Sequence, residues 1–420
     1  MEAEDSRPAQ PGAKRFWTRG LILSVLASVA WAFFLFATRP TPSVALAANN
    51  SDHYSHVGAA VMAIHHGSEI YRHPTDDLCL RPASAASPLW ARTIEAAREL
   101  RVAPVDICFV RGGWTDVPLV VNWGRFPRPY PPGNLLLFLP VGWAYAHAGI
   151  GFAQACAWAM GLILLFGHVA ALSLLFAVNP RGLGSRSLAA WLSVVAGGAL
   201  VLGWSFAGFY DGLAVGPLCL AGAAWRARKP SLVLMFFGLA CLAHFRGLWF
   251  LPLGIGAFWR TIGAVRLGKL SPGMGGQCLT GILAGAMAAM SLIWVAPFLA
   301  EFPVSHPLQI SVIHGAPARS LLALLALFLA AGAAVWQGGR MLGFCGAWAL
   351  LMCLFAPQAM PWHAISLVPL LALVPQRTGR EATIWMLSTL IFVGIAVQLL
   401  FGASLWPTWI GLLLSRGGVG

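Results

Sequence analysis

Between residues 151 and 415 the chain alternates apolar stretches of about 18–22 residues with short polar breaks. At about 1.5 Å per residue, each stretch is long enough to cross a hydrocarbon core of about 30 Å as one α-helix. A further stretch, residues 20–38, stands apart near the start, behind a mixed-charge tail over residues 1–19 that is rich in Pro, Ala and Gly. The pattern predicts an all-α polytopic membrane protein, a bundle of about 11–12 transmembrane helices with the tail on the cytoplasmic side. Ala45-Leu46-Ala47 has the small-residue form of a signal-peptidase site. It lies well past the apolar stretch with Pro40 and Pro42 between, so an uncleaved signal anchor is expected.

Residues 39–150 form the long first loop, ahead of the bundle over 151–415. Two pieces of it are periodic. Residues 53–66 bring Val57, Ala60, Val61 and Ile64 onto one face, as in a helix lying on a membrane surface. Residues 87–100 carry Leu89, Trp90, Ile94, Ala97 and Leu100 at similar spacing. Residues 135–148 pose a topological choice. A full crossing there would put Arg181 and Arg186 outside, and then Arg226, Arg228 and Lys229 as well. A short re-entrant or juxtamembrane helix, opening at Tyr130-Pro131-Pro132, returns every basic cluster to the cytoplasmic side. The other crossings then fall near 153–177, 188–205, 208–225, 231–245, 248–262, 278–299, 318–336, 341–356, 361–375 and 382–402, with a short apolar piece at 405–414. The sequence shows no internal repeat, which counts against a secondary transporter.

Composition narrows the class. Hydrophobic residues make up 58% and charged residues 10%, where soluble domains carry about a quarter charged; the mean hydropathy is +0.74. The net charge of +13 is not a nucleic-acid signal, because basic clusters such as Arg181 and Arg186, Arg226, Arg228 and Lys229, Arg260, Arg266 and Lys269, and Arg377 and Arg380 sit in short breaks between apolar stretches. Recurrence at alternate breaks is what the positive-inside rule produces, with anionic membrane lipid as the partner. Six cysteines fall in apolar stretches as small packing residues. Cys79 and Cys108 share the long loop, where an oxidising compartment permits a disulfide that spacing alone does not establish.

With this topology the unusual polar groups gather on the outer side. They are Asp52 with His53 and His56; Tyr130; Tyr210 and Asp211; His244 and Arg246; His306 and His314; and Trp362 with His363. An ionisable group inside a membrane bundle is costly and faces a cavity or a partner rather than lipid. Each has a plainer reading beside the functional one. Asp52 suits the N-cap of the helix that follows it, a role compatible with chemistry. Asp211 and Arg246 suit a structural ion pair, and Trp362-His363 an interfacial anchor. The glycine-rich breaks fit helix packing and carry no phosphate-loop signature. The histidines lack metal-ligand spacing, so no metal is expected.

Together these features resemble the GT-C superfamily of integral-membrane glycosyltransferases, closest to the polyprenol-phosphate-mannose-dependent type, glycosyltransferase family 87. That family has an aspartate soon after the first span, a helix ending in Gly-x-x-(Pro/Ile)-Tyr, and a Tyr-Pro-Pro motif opening a short apolar helix that ends in Pro. The counterparts here are Asp52-His53-Tyr54, Gly67-Ser68-Glu69-Ile70-Tyr71, Tyr130-Pro131-Pro132 and residues 135–140. Downstream, Tyr210-Asp211, His244-Phe245-Arg246 with Leu251-Pro252, and Pro361-Trp362-His363 match more weakly. Two departures are Arg246 where the family commonly has Lys, and a longer segment over residues 75–123.

The resemblance implies a sugar donor on a polyprenyl phosphate, mannose by family analogy, and a glycan, glycolipid or protein acceptor. Transfer would invert the anomeric centre without a cofactor, in a bacterial cell membrane with the site on the extracytoplasmic side. Asp52 would be the general base, Arg246 with His244 would hold the donor phosphate, and His53, His56, Tyr130, Tyr210, Asp211, Trp362 and His363 would line the site. Rival classes are a transporter or lipid flippase, to which Asp211 is the suggestive residue, and a structural or assembly protein. An O-antigen-ligase-like transferase would put its long loop late in the chain.

Overall fold

The computed structural model describes residues 52–100, 103–110, 117–120, 128, 130–178, 197–198, 200–202, 205, 210–268, 273–299, 340–355 and 361–374. The expected crossings at 20–38, 318–336, 382–402 and 405–414 and most of 188–205 lie outside the described residues, as do His306 and His314. The two periodic pieces of the long loop are helices, α1 (Asp52–His66) and α2 (Pro88–Leu100). The apolar face of α1 is covered by protein rather than left for a membrane surface, with Val57, Ala60 and Val61 fully buried.

Three short strands accompany these helices: β1 (Cys79–Leu80), β2 (Ile107–Val110) and β3 (Leu119–Val120). They pair antiparallel in the order β1-β2-β3, with Cys79 opposite Val110 and Ile107 opposite Val120. This sheet departs from the all-α expectation. The run Ile-Cys-Phe-Val in β2 is buried at every position, and an apolar run that short has no period to distinguish strand from helix.

A disulfide joins Cys79 to Cys108, with their Cα atoms 5.6 Å apart and a sequence separation of 29. Such a bond persists in oxidising compartments, the side expected for this loop. Closing a loop of that size restrains the unfolded chain by about 3–4 kcal/mol in the chain-entropy model. Replacing both cysteines with alanine is expected to lower the stability of the loop by about that amount. Limited proteolysis with and without reductant measures it; equal resistance of the double variant and the parent would contradict the assignment.

Tyr130-Pro131-Pro132 opens α3 (Pro132–His147), with proline in the first turn where its missing N–H costs nothing. At 16 residues the helix is about 24 Å long, short for a full crossing. It runs parallel to α1. His56 stacks on Phe138, Gly142 lies against Ala60, and His65 adjoins His147, each pair 82 residues apart. On this register the backbone of Asp52 is level with Asn134.

The bundle follows as α4 (Phe152–Val178), α5 (Gly212–Arg226), α6 (Pro230–Ala243), a 3₁₀ turn (Phe245–Phe250), α7 (Leu251–Arg266), α8 (Met274–Leu299), α9 (Arg340–Phe355) and a 3₁₀ helix (Pro361–Leu373). Among the described residues three segments are long and apolar enough to cross a membrane: Phe152–Val178, Phe245–Arg266 and Met274–Val295. Ile255, Trp259, Leu279, Ile282, Leu283 and Ile293 on α7 and α8 are exposed in the isolated chain, as a lipid-facing surface requires. The expected crossing at 361–375 is 3₁₀ rather than α over its described part and contains Pro369, which has no N–H to donate.

α4 threads two hydrophobic cores. Its first half, from Phe152 to Ile163, packs with α1, α3 and the strands; its second half, from Ala170 to Ala177, packs with α5, α6, α7, α9 and the 3₁₀ helix. Between them Gly212, at the start of α5, lies against Gly167. At the other end of α5, Arg226 donates to the Ala177 and Val374 carbonyls, a cation on helix C-terminal oxygens. The basic residues 226–229 are thus a full helix length from the junction of the two cores.

Candidate active site

Two close backbone approaches bring distant segments to that junction. At Gly133 a Cβ would lie 2.6 Å from the Leu242 carbonyl oxygen, so glycine lets the first turn of α3 rest on the end of α6. Immediately beyond α6, His244 takes an extended backbone (φ −159°, ψ 137°). Gly247 then folds back on Ala240 and Cys241, where a Cβ would meet backbone atoms at 2.5–2.7 Å. The break turns His244 toward Tyr130 and Tyr210 and Arg246 toward Asp211.

Asp211 stands at the N-cap of α5, yet its side chain makes no capping bond. Its Oδ1 lies 2.6 Å from Arg246 Nη1 and 3.2 Å from His244 Nε2. Its side chain is 2% exposed and that of Arg246 is 13%. The Arg246 backbone N–H donates to His244 Nδ1 at 3.0 Å. That nitrogen therefore keeps its lone pair, and the neutral ring carries its proton on Nε2, facing the carboxylate. The Arg246 guanidinium also lies 5.5 Å from the centre of the Trp249 ring. The ion pair weighed from the sequence is formed here, and it is buried.

Aromatic rings surround this charged group. Tyr210 meets His56 edge-on at 4.2 Å and Tyr130 edge-on at 5.0 Å, and stacks with His244 at 5.1 Å. His56, Tyr130, Tyr210, Asp211, His244 and Arg246, drawn from four separate parts of the chain, therefore form one cluster. The backbone of Asp52 begins α1 one turn before His56, which brings that position to the cluster's edge. The side chains of Asp52, His53, Trp362 and His363 lie outside the described residues. The backbone of Trp362 and His363 opens the 3₁₀ helix, which runs parallel to α5, with Ala372 beside Gly222 and Val374 beside Arg226. At about 2.0 Å per residue against 1.5 Å in α5, their backbone comes level with Asp211.

Arg128 and Asn134 belong to the cluster although the sequence reading assigns them nothing. Arg128 Nη2 donates to His56 Nδ1 at 2.7 Å and to Asn134 Oδ1 at 2.8 Å, and its guanidinium lies 5.3 Å from the Tyr130 ring centre. Its backbone N–H donates to the Ile70 carbonyl at 2.8 Å, joining the loop's last residues to the turn after α1. The one available signal was an arginine two residues before Tyr-Pro-Pro, which composition does not separate from an ordinary loop cation. Among the described residues no group of three His, Cys, Asp or Glu is placed to hold a metal ion.

The cluster can hold an anion beside Arg246 and exclude water from it, and it can orient histidine protons. Comparison of the chain with protein-family models, with curated proteins and with solved structures gives no significant match.

Proposed function

We propose that the protein is a membrane glycosyltransferase of the GT-C kind. It moves a hexose, mannose by family analogy, from a polyprenyl phosphate to an extracytoplasmic glycan, glycolipid or protein acceptor, with inversion. The observation that carries this reading is the convergence of Tyr130, Tyr210, Asp211, His244 and Arg246 beside His56, one helical turn from Asp52. Buried charge of this kind inside an apolar bundle is expensive to keep without a function.

In this mechanism Asp52 takes the proton from the acceptor hydroxyl as that oxygen attacks the anomeric carbon. The bond from the anomeric carbon to the phosphate oxygen breaks, and polyprenyl phosphate leaves with increased negative charge. Arg246 has five N–H donors, and among the described residues Asp211 is the one carboxylate paired with them; donors not used by Asp211 would meet that charge, with His244 beside them. The bundle of about 11–12 crossings would sit in a bacterial cell membrane with the cluster outward and the prenyl chain between helices.

Arg246 is tested with two variants. Arg246→Lys keeps the charge opposite Asp211 but loses the planar fork, and is expected to raise the donor KM roughly 10–100-fold, with acceptor KM little changed. Arg246→Ala is expected to weaken donor use further. An effect confined to acceptor KM in steady-state assays would break the assignment.

A further inference from the structure

We infer that Asn134, together with Tyr71, recognises hydroxyl groups of the transferred hexose; the inference rests on the transferase reading above. Asn134 is fully buried in the first turn of α3. Its Oδ1 accepts from Arg128, and because arginine only donates, this contact fixes the orientation of the amide. The Nδ2 amino group therefore points away from Arg128, and among the described residues it has no hydrogen-bond partner. Tyr71 is 4% exposed, and its Oη likewise has none. Both residues flank Arg128, Tyr71 through the Ile70 carbonyl that accepts the Arg128 N–H. Burial pushes the Tyr71 hydroxyl up to about 12, with the Arg128 charge pulling the other way, so it remains a neutral donor at ordinary pH.

Buried donors without acceptors are rare enough to need an explanation. These two are neutral, which suits sugar oxygens, and Asn134 is level with Asp52 on the neighbouring parallel helix. Tyr130, only partly buried, offers an aromatic face to the C–H side of a pyranose. A hexose placed here puts its hydroxyls against Asn134 and Tyr71 while its anomeric carbon faces the proposed base.

The test uses two near-isosteric variants. Asn134→Asp keeps an oxygen toward Arg128 and replaces the amide donors with a carboxylate oxygen whose charge pairs with Arg128; Tyr71→Phe removes only the hydroxyl and leaves the charge unchanged. Purified protein in lipid nanodiscs is titrated with polyprenyl-phosphate mannose and with bare polyprenyl phosphate. Each variant is expected to bind the mannosyl lipid roughly tenfold more weakly and the bare lipid as before. The unfolding midpoint of Tyr71→Phe should hold or rise, since an unsatisfied buried group is lost. If the parent protein binds the mannosyl lipid and the variants match it, or lose both lipids equally, the inference falls while the transferase reading stands. If the parent binds both lipids equally, the inference alone falls; if it binds neither, both fall.

Discussion

Asp52→Asn is expected to reduce sugar transfer by roughly 10²–10⁴-fold, the range contributed by a positioned general base. Donor binding and fold should survive. The substitution is informative because asparagine caps a helix as well as aspartate does. Asp52 begins α1, so if its role were only to start that helix, the asparagine variant would keep wild-type transfer. Asparagine cannot accept the acceptor's proton, so loss of transfer with retained folding separates the two roles. Asp52→Ala would not, because it removes the acid of the first helical position and the base together. The readout is single-turnover transfer alongside a donor-binding isotherm for the same preparation.

Asp211→Ala is expected to destabilise the protein by about 3–5 kcal/mol, the usual effect of stranding one member of a buried ion pair. The variant would leave the Arg246 guanidinium and the His244 Nε2–H facing an empty place where Oδ1 now lies at 2.6 and 3.2 Å. Asp211→Asn keeps an acceptor oxygen and should lose less. The double variant Asp211→Ala with Arg246→Met removes both charges and should recover most of the stability but none of the donor use. Thermal unfolding in detergent reads the first effect, and donor turnover the second. A single alanine variant as stable as the parent would mean that the pair does not hold the junction together.

The parts of this arrangement that depend on long periodic signals were legible in the sequence. α1 and α2 stand out because residues 53–66 and 87–100 repeat apolar positions at helical spacing. α4 and α8 stand out because no Asp, Glu, Lys or Arg interrupts them for the width of a bilayer. Asp211 and Arg246 were conspicuous because charge is rare beyond the loop, and the break at His244 was marked by three polar or small residues between apolar runs. The β1-β2-β3 sheet was hidden by strands of two to four residues, too short to show alternation. Arg128 was hidden for a different reason. Its importance comes from a tertiary meeting with His56, 72 residues away, and no local pattern distinguishes it from the other loop arginines. The disulfide was open for the same reason: spacing permitted it, and only the sheet brings Cys79 and Cys108 into reach.

The placement of α3 also follows from packing rather than pattern. Its apolar character alone would allow a crossing, but it is 16 residues long and its glycines take it against α1 on one side and the end of α6 on the other. That position makes a wall between the loop and the bundle, and the residues at its start, Tyr130 and Asn134, become part of the cluster. A helix crossing the bilayer independently would not bring those side chains to Asp211 and His244.

The most direct test of the central claim is incubation of the purified protein in proteoliposomes with radiolabelled polyprenyl-phosphate mannose and a membrane extract as acceptor source. The transferase account predicts release of polyprenyl phosphate and transfer of label to a new product by the parent protein, and neither by Asp52→Asn. Label that crosses the bilayer still attached to its lipid, or that is left unchanged by the parent protein, would contradict it.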